Sequence, residues 1–207
     1  MRILVTGFEP FDGAEVNPTE EVLALLQANP PLGTDLHTAL LPVDGDKLPQ
    51  VLLPRLEELR PAVVLMLGQA TGRAAFSIER VALNWLDYRI PDNSGRRVQD
   101  QPILPDGPAA YFATLPTREL LEHLRATGLP AELSYHAGTY LCNQAFYLAC
   151  HWAATHAPET RVGFVHVPAL PSQVCTQAKP VPSMALNLIE MGVRWLLVYL
   201  NNGEVMA

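Results

Sequence analysis

The sequence is poor in cysteine, and the few that it has do not suggest a cross-linked or metal-bound scaffold. There are three, Cys142, Cys150 and Cys175, and no two of them form a C-x-x-C pair. An odd number at these spacings predicts neither a disulfide framework nor a zinc knuckle, and it fits a reducing compartment. We therefore expect a cytoplasmic protein that needs no metal.

Charge is also scarce, and basic charge especially so. The chain has 14 Lys and Arg against 21 Asp and Glu, which gives a formal net charge of -7, and the basic residues are scattered. Nucleic-acid binding needs a basic surface, so we expect no nucleic-acid partner. Hydrophobic residues make up 49% of the chain, which is enough to fold one domain over residues 1–207.

No apolar run has the length of a signal-peptide core or a membrane span. The segment "ILVTG" after Arg2 is short and is followed by "FEPFDG" instead of a small-residue cleavage site. The late segment "MALNLIEMGVRWLLVYL" carries Glu190 and Arg194 four residues apart and is too short to span a bilayer. It predicts an amphipathic C-terminal helix, and we expect no membrane contact.

Strand-like runs alternate with helical patterns along the chain. The strand-like runs lie at 2–6, 63–67, 131–136 and 161–167. A clear helix start lies at Asn17, which can cap a helix with Pro18 at its first position. This alternation predicts a single-domain three-layer α/β/α sandwich around a mostly parallel twisted sheet.

In such folds the functional site lies at the carboxyl ends of the strands. That rule selects the loops after Thr6, Leu67, His136 and Val167. The segment 88–108 is rich in Pro, Gly and Asp, and a long excursion of this kind is usually functional or mobile.

Cys142 is the strongest candidate nucleophile. It lies where a strand end meets a helix start, where unpaired N–H groups and the helix dipole favour a thiolate and can hold an oxyanion. The alternative is a buried cysteine that packs as a small hydrophobe. Cys150, two helical turns further along an apolar stripe, fits that alternative.

A nucleophilic cysteine needs a base, and His166 is the histidine at the carboxyl end of a strand. His37 lies early in a strand-like run, and the histidines at 123, 151 and 156 lie within or near the ends of predicted helices. A strand histidine can also be purely structural.

Glu79 is the acidic residue of an otherwise apolar, strand-like run, and a charge in such a run needs a partner. It can orient the base, or it can form a salt bridge with Arg73 or Arg80, and the residues do not decide between these. The competing acids lie in loop-like segments, where turn chemistry explains them. They are Asp44, Asp46, Asp87 and Asp92.

The loop after the first strand carries Phe8 and Phe11. Aromatic residues over the rim of a sheet can wall a flat, apolar ligand, or they can cover the core. The sequence has neither G-x-G-x-x-G nor G-K-[ST] here, which argues against a phosphate-binding loop.

Five blocks together resemble the pyroglutamyl peptidase I family, the pyrrolidone-carboxylate peptidases, which are cytosolic cysteine peptidases. The blocks are "VTGFEPFDGAEVNP", "GQATGR" with "IERVALN", "YRIPDN", "AGTYLCNQAFY" and "FVHVP". They occur in the family's order, from the first strand to Pro168. The resemblance implies a phosphorylase/hydrolase-like α/β/α fold.

The resemblance also assigns roles. It implies a catalytic triad of Glu79, Cys142 and His166, which hydrolyses the bond after an N-terminal pyroglutamyl residue of a peptide through a thioester acyl-enzyme. No metal or cofactor is implied.

Four more positions match the substrate site of the family. Phe8 and Phe11 match the walls of the slot for the pyrrolidone ring, Gln69 matches a position beside the ring, and Arg89 matches an arginine near the reaction centre. The resemblance also implies a homo-oligomer, a tetramer or a dimer.

Three alternatives differ from this hypothesis in recognisable ways. A class I glutamine amidotransferase typically has a G-x-C-x-G elbow, whereas Cys142 is flanked here by Tyr140, Leu141, Asn143 and Gln144, with no glycine among them. A nucleoside phosphorylase-like protein would need a basic phosphate site, and "GFEPFDG" is acidic. A non-enzymatic binding module would keep its function without the Cys142 sulfur.

Overall fold

The computed structural model describes residues 1–202, which contain the following elements. The strands are β1 (Arg2–Phe8), β2 (Asp35–Leu41), β3 (Val63–Gln69), β4 (Phe76–Glu79), β5 (Val81–Leu83), β6 (Ala110–Phe112), β7 (Ala131–Ser134) and β8 (Arg161–Val167). The helices are α1 (Pro18–Ala28), α2 (Leu48–Leu59), α3 (Thr117–Ala126), α4 (Leu141–His156), α5 (Pro171–Val174) and α6 (Leu186–Asn202).

Six strands form one sheet in the order β2-β1-β3-β8-β4-β7, and β5 pairs with β6 in a separate antiparallel ribbon. Strands β1, β2, β3 and β8 are parallel to one another. Strand β4 is antiparallel to β8, and β7 is parallel to β4. The sheet is therefore mostly parallel, with two reversed strands at one side.

Helices cover both faces of the sheet. On one face α2 and α4 pack against alternate strand residues such as Leu4 and Val64. On the other face α1, α3 and α6 pack against the intervening residues, such as Ile3 and Val63. Because successive strand residues point to opposite faces, fully apolar strands bury both sides of the sheet. The predicted α/β/α sandwich is confirmed.

Helix boundaries follow local signals in the sequence. The side chain of Asn17 accepts a hydrogen bond from the N–H of Thr19 at 3.0 Å, so the predicted cap of α1 forms. Gly128 lies just past α3 with φ of 82°, a left-handed conformation that suits a residue without Cβ.

In α6, Arg194 pairs with Glu190 at 2.9 Å. Within residues 1–202, no helix has the length and apolar character needed to cross a membrane.

The segment 131–136 differs from the sequence prediction. Strand β7 ends at Ser134 and runs opposite to β3 and β8, so its carboxyl end does not share their rim. The rule that selected the loop after His136 assumed a parallel strand and was wrong for β7. Residues 135–140 instead carry the chain back to the rim, where α4 begins.

Candidate active site

A cavity of about 350 Å³ lies at the carboxyl ends of β1, β3 and β8. Six of the seven predicted site residues line it: Phe8, Phe11, Gln69, Arg89, Cys142 and His166. The seventh, Glu79, lies in contact with His166. The other lining residues were not predicted to belong to the site; they are Asp12, Asn17, Val43, Ala70, Thr71, Ile90, Ala137, Tyr140 and Leu141.

Cys142 lies in the first turn of α4, which begins at Leu141. Its sulfur lies over Gly68 on β3, because a Cβ built at Gly68 would come within 2.8 Å of Sγ. Gly68 is in turn the neighbour of His166 across the β3–β8 pair. Helix α4 and the central strands thus bring the thiol and the imidazole to the same part of the cavity.

Asn143 anchors the first turn of α4 to the end of β5 and to the chain just after it. Its side chain is fully buried. The Nδ2 group donates to the carbonyl oxygens of Leu83 at 2.9 Å and Trp85 at 3.0 Å, and Oδ1 accepts from the N–H of Leu83 at 2.8 Å. Asn143 was not predicted to be a site residue. Its signal was a pair of amide side chains, Asn143 and Gln144, in a helix that is otherwise apolar.

Gln144 makes the second anchor, to the loop 88–108. Its Nε2 group donates to the carbonyl oxygen of Gly45 at 2.9 Å, and its Oε1 accepts from the hydroxyl of Tyr88 at 3.1 Å. Asp92 is buried in the same loop and accepts from the N–H of Gly45 at 3.0 Å. The start of this loop is therefore fixed, and Arg89 within it lines the cavity.

Glu79 makes both of the contacts that the sequence left open. It is fully buried, and its Oε1 accepts from Nδ1 of His166 at 2.7 Å and from Nη1 of Arg73 at 2.8 Å. Burial acts to raise the pKa of Glu79, but the hydrogen bond and charge of His166, with help from the side chains of Ser134 and Arg73, bring that pKa below its usual value. Because the ionised carboxylate can only accept, Nδ1 carries the proton of this hydrogen bond, and in the neutral form of the imidazole the free lone pair is therefore on Nε2.

The Cys142 thiol is protonated at neutral pH in the resting protein. Burial raises its pKa to about 12, the charge of Glu79 acts in the same direction, and Arg73 opposes both. The expectation that the helix start favours a thiolate was therefore wrong, because the loss of solvation outweighs the helix terminus. A base must take the proton before the sulfur can attack. Cys150, as expected, is buried in the core.

Gln69 is held at both ends of its amide. Its Nε2 donates to the hydroxyl of Thr71 at 3.0 Å, and its Oε1 accepts from Nε2 of Gln173 at 3.1 Å. Gln173 is itself held by the carbonyl oxygen of Val16 at 3.1 Å. These bonds fix which end of the Gln69 amide donates and which accepts, and Gln173 was not foreseen from the sequence.

The two phenylalanines differ in burial. Phe8 is 2% exposed and belongs to the core as well as to the cavity wall. Phe11 is partly buried and lies near Tyr140, with ring centroids 6.5 Å apart.

The part of the chain from 1 to 202 contains no group of three or more His, Cys, Asp or Glu side chains arranged to hold a metal ion.

A sequence model of the pyroglutamyl peptidase family matches residues 1–200. The pyrrolidone-carboxylate peptidase of Pyrococcus furiosus is 44% identical over 174 residues, which is 84% of each chain. Pyrrolidone-carboxylate peptidase 1 of Ralstonia nicotianae is 45% identical over 192 residues, 93% of this chain and 89% of that protein.

Solved structures agree with the sequence comparison. A mutant pyrrolidone carboxyl peptidase from P. furiosus superposes with a TM-score of 0.93 at 39% identity, covering 100% of both chains. Pyroglutamyl peptidase I of Bacillus amyloliquefaciens superposes with a TM-score of 0.92 at 35% identity, covering 98% of this chain and 97% of that one.

Proposed function

The chain belongs to the pyroglutamyl peptidase family of cysteine peptidases, and we propose that it hydrolyses the peptide bond after an N-terminal pyroglutamyl residue. The observation that carries the proposal is the hydrogen bond from His166 to buried Glu79, at a cavity that Cys142 also lines. A nucleophile, a base and a group that orients the base are the parts that covalent acyl transfer requires.

Acylation begins with transfer of the thiol proton from Cys142 to Nε2 of His166. This transfer is needed because burial raises the pKa of the thiol to about 12. The thiolate then attacks the pyroglutamyl carbonyl carbon, and the carbonyl oxygen becomes an oxyanion. Backbone N–H groups in the first turn of α4, that of Cys142 foremost, are suited to donate to the oxyanion because they have no partner within the helix.

Release and deacylation use the same imidazole. His166 gives its proton to the leaving amine, so the C–N bond breaks and a thioester remains on Cys142. His166 then takes a proton from water, the hydroxide attacks the thioester, and the thiol is restored when pyroglutamate leaves. Glu79 keeps the imidazole in orientation and stabilises its charged form through both half-reactions.

Selectivity for the lactam follows from the cavity wall. Pyroglutamate is neutral and flat, so the rings of Phe8 and Phe11 suit its faces, and the fixed amide of Gln69 suits its ring carbonyl and N–H. Proline has no ring carbonyl and would leave an amide partner unsatisfied. A mismatch of that kind discriminates by on the order of 10⁴. Arg89, exposed at the cavity, lies near the reaction centre in this proposal.

We also propose that the protein acts in the cytoplasm as a dimer or tetramer. A reducing compartment would keep the nucleophile as a thiol. Helix α6 exposes Leu188, Met191 and Trp195, each with more than a third of its surface accessible, and this apolar surface could supply a contact between subunits.

The test is hydrolysis of a chromogenic pyroglutamyl amide under reducing conditions, with Cys142→Ser and Cys150→Ser compared. We expect Cys142→Ser to lose at least about 10³-fold in kcat/KM and Cys150→Ser to keep most of its activity. An inactive wild-type protein, or a fully active Cys142→Ser variant, would refute the proposed function. Equal cleavage of the matching prolyl amide would refute the selectivity model.

A further inference from the structure

Arg73 reaches the buried acid of the site from the solvent side. It lies in the turn between β3 and β4, where its N–H donates to the carbonyl oxygen of Ala70 at 3.2 Å. Its side chain is 32% exposed, whereas the side chain of Glu79 is 0% exposed. The guanidinium contacts the same carboxylate oxygen that accepts from His166. One oxygen of Glu79 therefore accepts a hydrogen bond from the imidazole and another from the guanidinium, which is always positively charged.

Among the groups around Glu79, Arg73 is the one whose positive charge can offset the charge of the carboxylate. The titratable groups that face the cluster are His166 on β8, Cys142 on α4 and Tyr140 at the start of α4. Tyr140 stays neutral, because burial raises its pKa well above the usual value. Arg80, next to Glu79 in sequence, instead lies over the ring of Tyr135, 5.7 Å from its centroid.

A carboxylate that is not balanced would hinder the proposed proton transfer. Its charge favours the imidazolium form of His166, which cannot accept a proton, and it disfavours the thiolate of Cys142. Arg73 opposes the effect of Glu79 on the thiol. A guanidinium also stays charged across the whole working pH range.

We propose that Arg73 is a positioning residue of this site, which holds Glu79 in place and offsets its charge so that His166 can accept the thiol proton at neutral pH. The inference rests on the proposed roles of Glu79, Cys142 and His166. Arg73 acts through Glu79 and touches neither the sulfur nor the substrate in this scheme.

The experiment measures how fast iodoacetamide alkylates Cys142 as a function of pH, with the modified peptides resolved by mass spectrometry. The variants are Arg73→Gln, which keeps an N–H donor but loses the charge, Arg73→Lys, which keeps the charge, and Arg80→Gln as the matched control. Cys175 is exposed and provides a reference thiol in every sample.

Removal of a positive charge raises the pKa of every titrating group nearby. We therefore expect the pKa of Cys142 to rise by on the order of one unit in Arg73→Gln, which lowers its alkylation rate about tenfold at about pH 8, where the protein is folded and the rate follows the thiolate fraction. Arg73→Lys should stay near the wild type, Arg80→Gln should match it, and Cys175 should not change. The acidic limb of kcat/KM should move in the same direction, with about a tenfold loss at a pH on that limb.

Two results would overturn the inference: a Cys142 alkylation rate in Arg73→Gln equal to that of the wild type, or a fall in rate in Arg73→Lys as large as in Arg73→Gln. Where Arg73→Gln does not fold, Arg73→Lys is the test by itself, because an alkylation rate about tenfold lower in a variant that keeps the positive charge would also overturn the inference. Alkylation needs no substrate. A lower Cys142 alkylation rate in Arg73→Gln, found in a protein without peptidase activity, would thus support the role of Arg73 while refuting the proposed function.

Discussion

At the scale of single residues, the position of the Cys142 sulfur depends on the absence of a side chain at Gly68. A Cβ at Gly68 would come within 2.8 Å of the sulfur and 2.7 Å of the ring of Phe164. The ring of Phe164 lies 4.8 Å from that of His166, so any shift of Phe164 reaches the imidazole as well. A glycine is therefore needed at position 68 because a larger residue would crowd the sulfur and the ring of Phe164. Its backbone conformation does not require glycine, since its φ is not in the left-handed region.

Gly68→Ala is expected to lower kcat/KM by about 10²-fold, because a displacement of about 1 Å of a reacting group costs that much. The protein should still fold, with some loss of thermal stability from overpacking. Gly192→Ala is the matched control, since its Cβ would crowd Phe76 in the core, away from the cavity. If both variants keep wild-type kcat/KM when folded, the sulfur does not depend on the space at Gly68.

The residues of the site were only partly predictable from the chain. Cys142 and His166 stood out through their places at a helix start and a strand end, and both line the cavity. Glu79 could not be separated from a simple salt bridge, and the structure shows why, because the acid contacts Arg73 and His166 together. Gln173 gave no signal, since its contact with Gln69 joins residues that are far apart in sequence.

At the scale of elements, the first turn of α4 is positioned by side chains instead of by its own cap. Its N-cap residue, Tyr140, makes no side-chain capping bond. The amide of Asn143 instead binds both backbone groups of Leu83 and the carbonyl oxygen of Trp85. The helix start is thus tied to the segment that follows β4, the strand that carries Glu79.

Asn143→Leu is expected to lower the free energy of unfolding by about 2–4 kcal/mol, because it leaves buried backbone groups without partners. Urea denaturation measures this loss, and the kcat of the folded variant should also fall as the first turn of α4 loosens. Asn187→Leu, at an exposed position on α6, should change stability by less than about 0.5 kcal/mol. Equal stability of the two variants would contradict the anchoring role of Asn143.

Several of the helices and strands were predictable because their signals are local. The cap at Asn17, the stop at Gly128 and the apolar runs at 63–67 and 161–167 each act within a few residues. Strand direction has no such signal. It depends on how the connections cross the sheet, and for this reason the reversal of β4 and β7 was not foreseen.

At the scale of the whole molecule, the topology gathers distant segments of sequence into one site. Glu79 comes from a reversed strand, His166 from its antiparallel neighbour and Cys142 from the helix packed over the central strands. The same burial on both faces of the sheet that builds this site also surrounds thiol groups with apolar atoms. Burial raises the pKa of both Cys142 and Cys150 to about 12.

Buried thiols make the folded state sensitive to alkali. In the unfolded chain a thiol titrates near its ordinary pKa of 9.0, whereas in the native state the Cys150 thiol stays protonated until about 12. Above pH 9 the unfolded state therefore binds fewer protons than the native state, so the free energy of unfolding falls as pH rises. Each such group contributes up to about 1.4 kcal/mol per pH unit in that window.

We expect Cys150→Ala to lower stability at pH 7 by a roughly constant amount and to make the alkaline decline shallower than in the wild type. Urea denaturation at intervals from about pH 7 to 10.5 measures the slope. Cys175→Ser is the control, because Cys175 is exposed and its removal should leave the slope unchanged. A Cys150→Ala slope identical to the wild-type slope would show that the buried thiol does not resist ionisation, and the same doubt would then extend to the protonated resting state assigned to Cys142.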